Sequence, residues 1–226
     1  MAPLLGSLLL FQAMYPAAAM MSSSRTTYHE YALNLRETED TAQVLHNIAD
    51  AVYTITISVG GEKLEAVPDT GSFDLLVFSS DCKSSCGPVE KLYNRSLSTG
   101  HKQGQLRNMH QYGSGSAWSM ESYDIVSSGS MWAHDQLFWE VYSADMPLLQ
   151  MGDFQAIVGL GPPESAVKMA EQDAKEVREE LDNLRSLGEV TPMQEKIASN
   201  CFALVEVAKQ ARSLVTRFGL HSFSIC

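Results

Sequence analysis

Between Tyr53 and Val59 the chain alternates side by side, Tyr53-Thr54-Ile55-Thr56-Ile57-Ser58-Val59, with β-branched residues at most positions. A period of two with that composition predicts a strand with two distinct faces. Gly60-Gly61 follows, a pair suited to the positive φ angles of a two-residue hairpin turn, and Leu64-Glu65-Ala66-Val67 reads as the returning strand. Phe73 to Phe78, Trp118 to Val126, Leu137 to Tyr142 and Ala156 to Leu160 add apolar strand patterns, punctuated by turn clusters such as Ser127-Ser128-Gly129-Ser130. Their close spacing predicts a mainly β domain from Tyr31 to about Gly161.

After Gly161-Pro162-Pro163 the period changes. Val167, Ala170, Ala174, Val177, Leu181 and Leu184 recur at steps of three and four with charges between them, the stripe of an amphipathic helix. Gly188 suits its end. Thr191-Pro192-Met193-Gln194 then supplies an N-cap, a proline in the first turn and a capping-box glutamine. A second stripe runs Ile197, Cys201, Leu204, Ala208, Ala211, Val215 and Phe218, with Gly219 as its stop. The prediction is an antiparallel helical hairpin acting as a packing element, its acidic residues forming a solvated face.

The first twenty residues are almost uncharged. Leu4 to Phe11 is a short apolar run and Ala17-Ala18-Ala19 a small-residue cleavage pattern, as in a signal peptide. The positive residue usual before such a run is missing, so a membrane anchor and a buried N-terminal segment are the other readings. A signal or anchor places the chain in a secreted or endomembrane, vacuolar-lumen setting.

At 226 residues, 45% of them apolar, the chain can bury a core. A net charge of -11 with no basic run argues against nucleic acid as a partner. Cys82 and Cys86, with three residues between them in a Ser-rich segment, fit a small surface disulfide loop; a zinc site would need two more ligands that Cys201 and Cys226 do not supply locally, so no metal is expected. Asn94-Arg95-Ser96 is a glycosylation acceptor if the chain is secreted.

The chemistry concentrates at Val67-Pro68-Asp69-Thr70-Gly71-Ser72, a turn between two strand patterns that occurs once. Gln111-Tyr112-Gly113-Ser114-Gly115-Ser116 comes about forty residues later, and Ile157-Val158-Gly159 after that. With Cys82, Cys86, Tyr93 to Ser98 and the ending Leu220-His221-Ser222-Phe223-Ser224-Ile225-Cys226, these segments resemble the N-terminal lobe of the pepsin-like aspartic proteases. The resemblance covers Tyr31 to Gly161 and resumes near Leu214 to Cys226. It divides the chain into a signal or anchor at 1–20, a lobe at 21–161, a helical hairpin insertion at 162–219 and a return strand at 220–226, ending before a second lobe.

The resemblance implies a mainly β fold, a lobe of six-stranded barrel or sandwich type. It implies Asp69 as the first catalytic aspartate, supported by Thr70, Gly71 and Ser72: Thr70 interlocks with its counterpart in the other lobe, and the Ser72 hydroxyl bonds the aspartate. Tyr112, Gly113 and Ser114 become the flap over the substrate, and Ile157-Val158-Gly159 the strand beneath the turn. The implied activity is that of an aspartic endopeptidase acting on a peptide or protein substrate, with water as nucleophile and no cofactor.

Two neighbouring carboxylates cannot both ionise cheaply, so they share a proton, one acting as base toward water and the other as acid toward the carbonyl. One carboxylate cannot play both parts, so a second lobe or a second copy must complete the site. The other reading is a non-catalytic lobe that binds peptides or regulates a full-length protease. Two departures from the family stand out: Pro68 precedes the aspartate, and Leu76 occupies a position where many members have a tryptophan that bonds the flap tyrosine. The six histidines lack metal or nucleophile signatures and read as surface or satisfied groups, and Trp132, Phe138 and Trp139 as packing.

Overall fold

The β2–β3 hairpin forms as its alternation predicts. In the computed structural model, β2 (Val52–Val59) and β3 (Glu62–Asp69) pair antiparallel with Val59 opposite Glu62, and Gly60 and Gly61 turn the chain at φ 59 and 92°. The described residues are 43–48, 50, 52–86, 92–150, 153–220 and 222. The signal or anchor segment, Tyr31, most of the expected return strand and Cys226 lie outside them.

Six further strands complete one sheet: β1 (His46–Ile48), β4 (Leu75–Phe78), β5 (Lys102–Tyr112), β6 (Gly115–Ser128), β7 (Met131–Asp145) and β8 (Ala156–Gly159). Their order is β1-β2-β3-β8-β4-β7-β6-β5, and β2 also pairs with β6 through Ser58–Ser127 and Val59–Val126, folding the sheet back on itself. The chain is thus mainly β, with a helical hairpin toward its C-terminal side.

Period-two geometry gives every residue of β4 a buried face. Leu76 and Phe78 join one apolar cluster with Trp139, Val141 and Ile157, while Leu75 and Val77 join another with Ile57, Phe138 and Val158. A strand apolar at each position belongs in the middle of a covered sheet, and β4 sits between β8 and β7. Trp132, by contrast, is 61% exposed and is not the packing residue expected.

Cys82 and Cys86 form a disulfide, but a buried one. The 3-10 turns of Ser80–Cys86 pack beneath β7, so the bridge joins the core cluster of Phe78 and Leu149 rather than a surface loop.

The two helices begin and end where their caps predict. α1 (Pro163–Leu187) stops at Gly188, left-handed at φ 73°, and α2 (Pro192–Gln210) starts from a complete Thr191–Gln194 capping box. Exposed ion pairs, Arg185–Glu195 at 3.6 Å and Lys209–Glu171 at 3.2 Å, bridge the two antiparallel helices. The second helix does not run on to Phe218, however. It ends at Gln210, Ala211 turns extended, and Ser213 caps a separate short α3 (Leu214–Arg217). The break drives Leu214 into the cluster of Phe138 and Val158, burial that a continuous helix would forgo. Among the described residues no helix is long and apolar enough to cross a membrane.

Candidate active site

The turn after β3 is held from below by β8. This strand runs parallel to β3, placing Gly159 opposite Asp69, and antiparallel to β4, placing Val158 opposite Leu75. From it the Gly159 N–H donates to the Asp74 carbonyl at 2.9 Å, Leu160 N–H to Asp69 O at 2.7 Å and Gly161 N–H to Ser72 O at 2.7 Å. Three successive amides thus fix the path of residues 69 to 74. Gly159 is required sterically, because a Cβ there would lie 2.4 Å from the Phe73 carbonyl carbon and 2.5 Å from the Asp74 nitrogen.

Asp69 is half-buried, and its Oδ1 accepts the Gly71 N–H at 2.9 Å. The hydroxyl expected to bond it behaves differently: Ser72 Oγ is enclosed with no aligned hydrogen-bond partner among the described residues. Thr70 and Gly71 are exposed.

Over this turn lies the β5–β6 hairpin, whose two-residue turn is Gly113-Ser114. Tyr112, the last residue of β5, brings its side chain beside Ser72, and burial, reinforced by the charges of Asp74 and Asp69, pushes its phenol well above the ordinary tyrosine range. Tyr112, about forty residues further along the chain, is therefore brought to the turn that carries Asp69 and Ser72.

Three residues at the site escaped the sequence reading as functional groups. Asp74 keeps 27% of its side-chain surface open, yet protein surrounds most of it, and this burial raises its carboxyl to about 6 despite the Trp139 indole against it. His110 is buried, its Nδ1 3.6 Å from Asp74 Oδ2, and desolvation lowers it to about 4. Trp139 packs on the His110 ring with centroids 5.5 Å apart. The available signals were spacing and register. His110 stands two residues before Tyr112 on the same strand face, and Trp139 is the β7 register partner of Leu76, so an indole stands one strand away from the position where Leu76 departs from the family pattern.

A cavity of about 530 Å³ opens beside the turn. Its wall begins at Gly71, two residues beyond Asp69, and includes Ser72 to Leu75, the flap strand from Asn108 to Tyr112, and Gln136, Leu137 and Trp139 of β7. The opposite side is the helical hairpin, with Met169 and Ala170 of α1 and Leu204, Val207 and Ala208 of α2. The hairpin therefore does more than pack: it walls the cavity next to the flap. Cys201, a free thiol raised by burial and by Asp173, also lines it. Among the described residues no three His, Cys, Asp or Glu side chains are grouped to hold a metal ion.

The sequence pattern of the family described as eukaryotic aspartyl protease matches residues 52–220. Similar curated proteins include a probable vacuolar protease A of Trichophyton verrucosum, 31% identical over 61% of this chain and 36% of its own length. Vacuolar protease A of Neurospora crassa is 35% identical over 54% of this chain and 31% of its own. Aspartic proteinase A2 of Arabidopsis thaliana is 34% identical over 63% and 29% respectively. The chain matches about a third of the length of these relatives.

Proposed function

The chain belongs to the eukaryotic aspartyl protease family, and we propose that it is a lobe of an aspartic-type endopeptidase in which Asp69 is one of two water-activating carboxylates. The second carboxylate comes from a second lobe or a second copy of the chain, because the sequence carries a single Asp-Thr-Gly. The observation that carries the reading is the meeting of Tyr112 and Ser72 at the turn of Asp69, held from beneath by the Gly159 strand.

In this reading ionised Asp69 takes a proton from the attacking water while its partner gives one to the peptide carbonyl oxygen. The Gly71 N–H, bonded to Oδ1, orients the carboxylate. Thr70, exposed at the turn, is free to interlock with the completing lobe. Tyr112, Gly113 and Ser114 close over the substrate, excluding water and aligning the peptide. Water is the nucleophile, and the reaction needs no cofactor. A lumenal setting, vacuolar or secreted, agrees with the names of the vacuolar relatives.

A second reading rests on that single Asp-Thr-Gly: a protease-like lobe that binds peptides, or regulates a full-length protease, without cleaving. The two are separated by peptide cleavage near pH 4 across a range of protein concentrations, with and without a hydroxyl-bearing transition-state mimic. The endopeptidase reading expects inhibitable cleavage, rising with the square of concentration if a second copy completes the site, or appearing once a second lobe is supplied. Binding of the mimic without cleavage at any concentration, even with a second lobe supplied, supports the second reading.

A further inference from the structure

The helical hairpin grips the flap strand by its backbone. β5 ends the strand order of the sheet, and Arg107 turns both of its main-chain polar groups away from β6 and toward α2. There the half-buried Asn200 takes both: Arg107 N–H donates to Asn200 Oδ1 at 3.2 Å, and Asn200 Nδ2–H donates to Arg107 O at 2.8 Å. Because the amide N–H only gives and the carbonyl only accepts, the orientation of the Asn200 amide is fixed. One side chain thereby stands in for a neighbouring strand at this residue.

The grip falls at the foot of the flap. β5 pairs with β6 in two stretches, Lys102 and Gln103 with Tyr123 and Ser122, then Arg107 to Tyr112 with Met120 to Gly115. Between them residues 104 to 106 stand opposite Glu121 alone. The buried Glu121 side chain replaces the missing ladder: Gln105 N–H and Leu106 N–H donate to its Oε2 at 2.9 and 3.1 Å, and the Tyr123 hydroxyl donates to Oε1 at 2.5 Å. An interrupted ladder is where a strand bends. Arg107 is the first residue of the arm beyond the interruption, and Tyr112, beside Ser72, is the last.

The hairpin is anchored at the turn that the flap covers. α1 begins two residues after Gly161, whose N–H bonds Ser72 O. Beyond α2, Leu214 is buried in the core. Leu204, one turn after Asn200 on the same face of α2, packs against the same core cluster as Leu106 and Tyr112. The insertion therefore ties the Asp69 turn to the flap strand by a path separate from the sheet.

We propose, on the reading of the β5–β6 hairpin as a substrate flap, that the helical hairpin sets the resting position of the flap over the Asp69 turn and that Asn200 is the positioning residue through which it does so. With the grip in place the arm is ordered before the peptide arrives, so less ordering is left for binding to supply. A side chain that merely covered an exposed edge would protect Arg107 and nothing farther along the strand.

The experiment reads the far end of the arm. Since the Arg107 N–H faces outward, strand alternation turns those of His110 and Tyr112 inward to β6. Deuterium exchange at these amides is followed by NMR in the full chain at pH 6.5 without substrate, with the β2 amides as the reference for global opening and the ¹³C ring signals of Tyr112 as the report of flap position. Asn200→Leu, similar in size but without either bond, should speed exchange at His110 and Tyr112 roughly tenfold or more relative to β2 and shift the Tyr112 ring signals. Asn200→Asp keeps an acceptor for Arg107 N–H but sets a second oxygen against Arg107 O, and should act in the same direction. Exchange that quickens only at Arg107, or rates at His110 and Tyr112 unchanged relative to β2, would overturn the proposal. No peptide is cleaved in these measurements, so their outcome is independent of whether Asp69 is required for hydrolysis.

Discussion

Asp74 Oδ2 faces His110 Nδ1 across 3.6 Å, linking the strand that leaves the Asp69 turn to the strand that carries Tyr112. The hydrogen bonds around His110 decide where the proton lies. Ser119 Oγ donates to Asn108 O at 3.2 Å, which leaves it to accept from His110 Nε2 at 3.0 Å. With the imidazole proton on Nε2, Nδ1 is bare and meets Asp74 favourably only when the carboxyl is protonated. The upward shift of Asp74 to about 6 and the downward shift of His110 to about 4 fit that arrangement.

These two shifts pull stability in opposite directions with pH. The raised Asp74 value contributes stability that is present at low pH and lost as pH rises from about 4 through about 6; the lowered His110 value contributes stability present above 6.5 and lost as pH falls toward about 4. Each is worth up to about 3 kcal/mol, the Asp74 part being the smaller because its side chain is partly open. In Asp74→Asn only the histidine contribution remains. Thermal unfolding at pH 4, 5, 6 and 7 should then show a steeper fall in Tm on acidification than in the unaltered chain. Parallel profiles would show that the pair is not coupled to folding.

Gly159→Ala should destabilise the chain by about 3 kcal/mol or more, since the added methyl meets backbone of residues 73 and 74 rather than a side chain that can move aside. The urea midpoint reports it. A midpoint within the error of the parent would mean that the Asp69 turn is not clamped as described.

Glu140 is 1% exposed and accepts from Ser79 Oγ at 2.7 Å, Ser122 Oγ at 2.9 Å and Arg95 at 3.2 Å. Arg95→Met strips the guanidinium from a buried carboxylate and should cost about 2–3 kcal/mol, less than a wholly buried pair because Arg95 is one-third exposed. Adding Glu140→Gln, which removes the charge, should cost less in the Arg95→Met background than alone, as a double-mutant cycle by urea unfolding will show. Strict additivity would contradict the coupling.

Much of this architecture is written in local patterns. The β2–β3 hairpin follows from alternation plus Gly60-Gly61, and α2 from the capping chemistry of Thr191 to Gln194, because both signals act over a few residues. Only the flap end of β5 is legible in the sequence, since between Lys102 and His110 Leu106 and Met109 fall on opposite faces and make no apolar stripe; its strand state comes from pairing along β6. The break after Gln210 was likewise invisible, for the stripe runs through it unbroken and only the core position of Leu214 requires it. At the site, the Asp69 turn and Tyr112 carry motifs. Asp74, His110 and Trp139 carry none, and their importance arises from burial and register, which exist only in the folded sheet.

The central claim, that Asp69 activates water at this turn, is tested most directly by the rate of peptide hydrolysis at pH 4 for the unaltered chain and for Asp69→Asn. With the site completed by a second copy or a supplied second lobe, the account predicts measurable cleavage by the first and a loss of roughly 10³-fold or more in the second, as for removal of a group required for the chemical step. Cleavage of equal rate in both would contradict it.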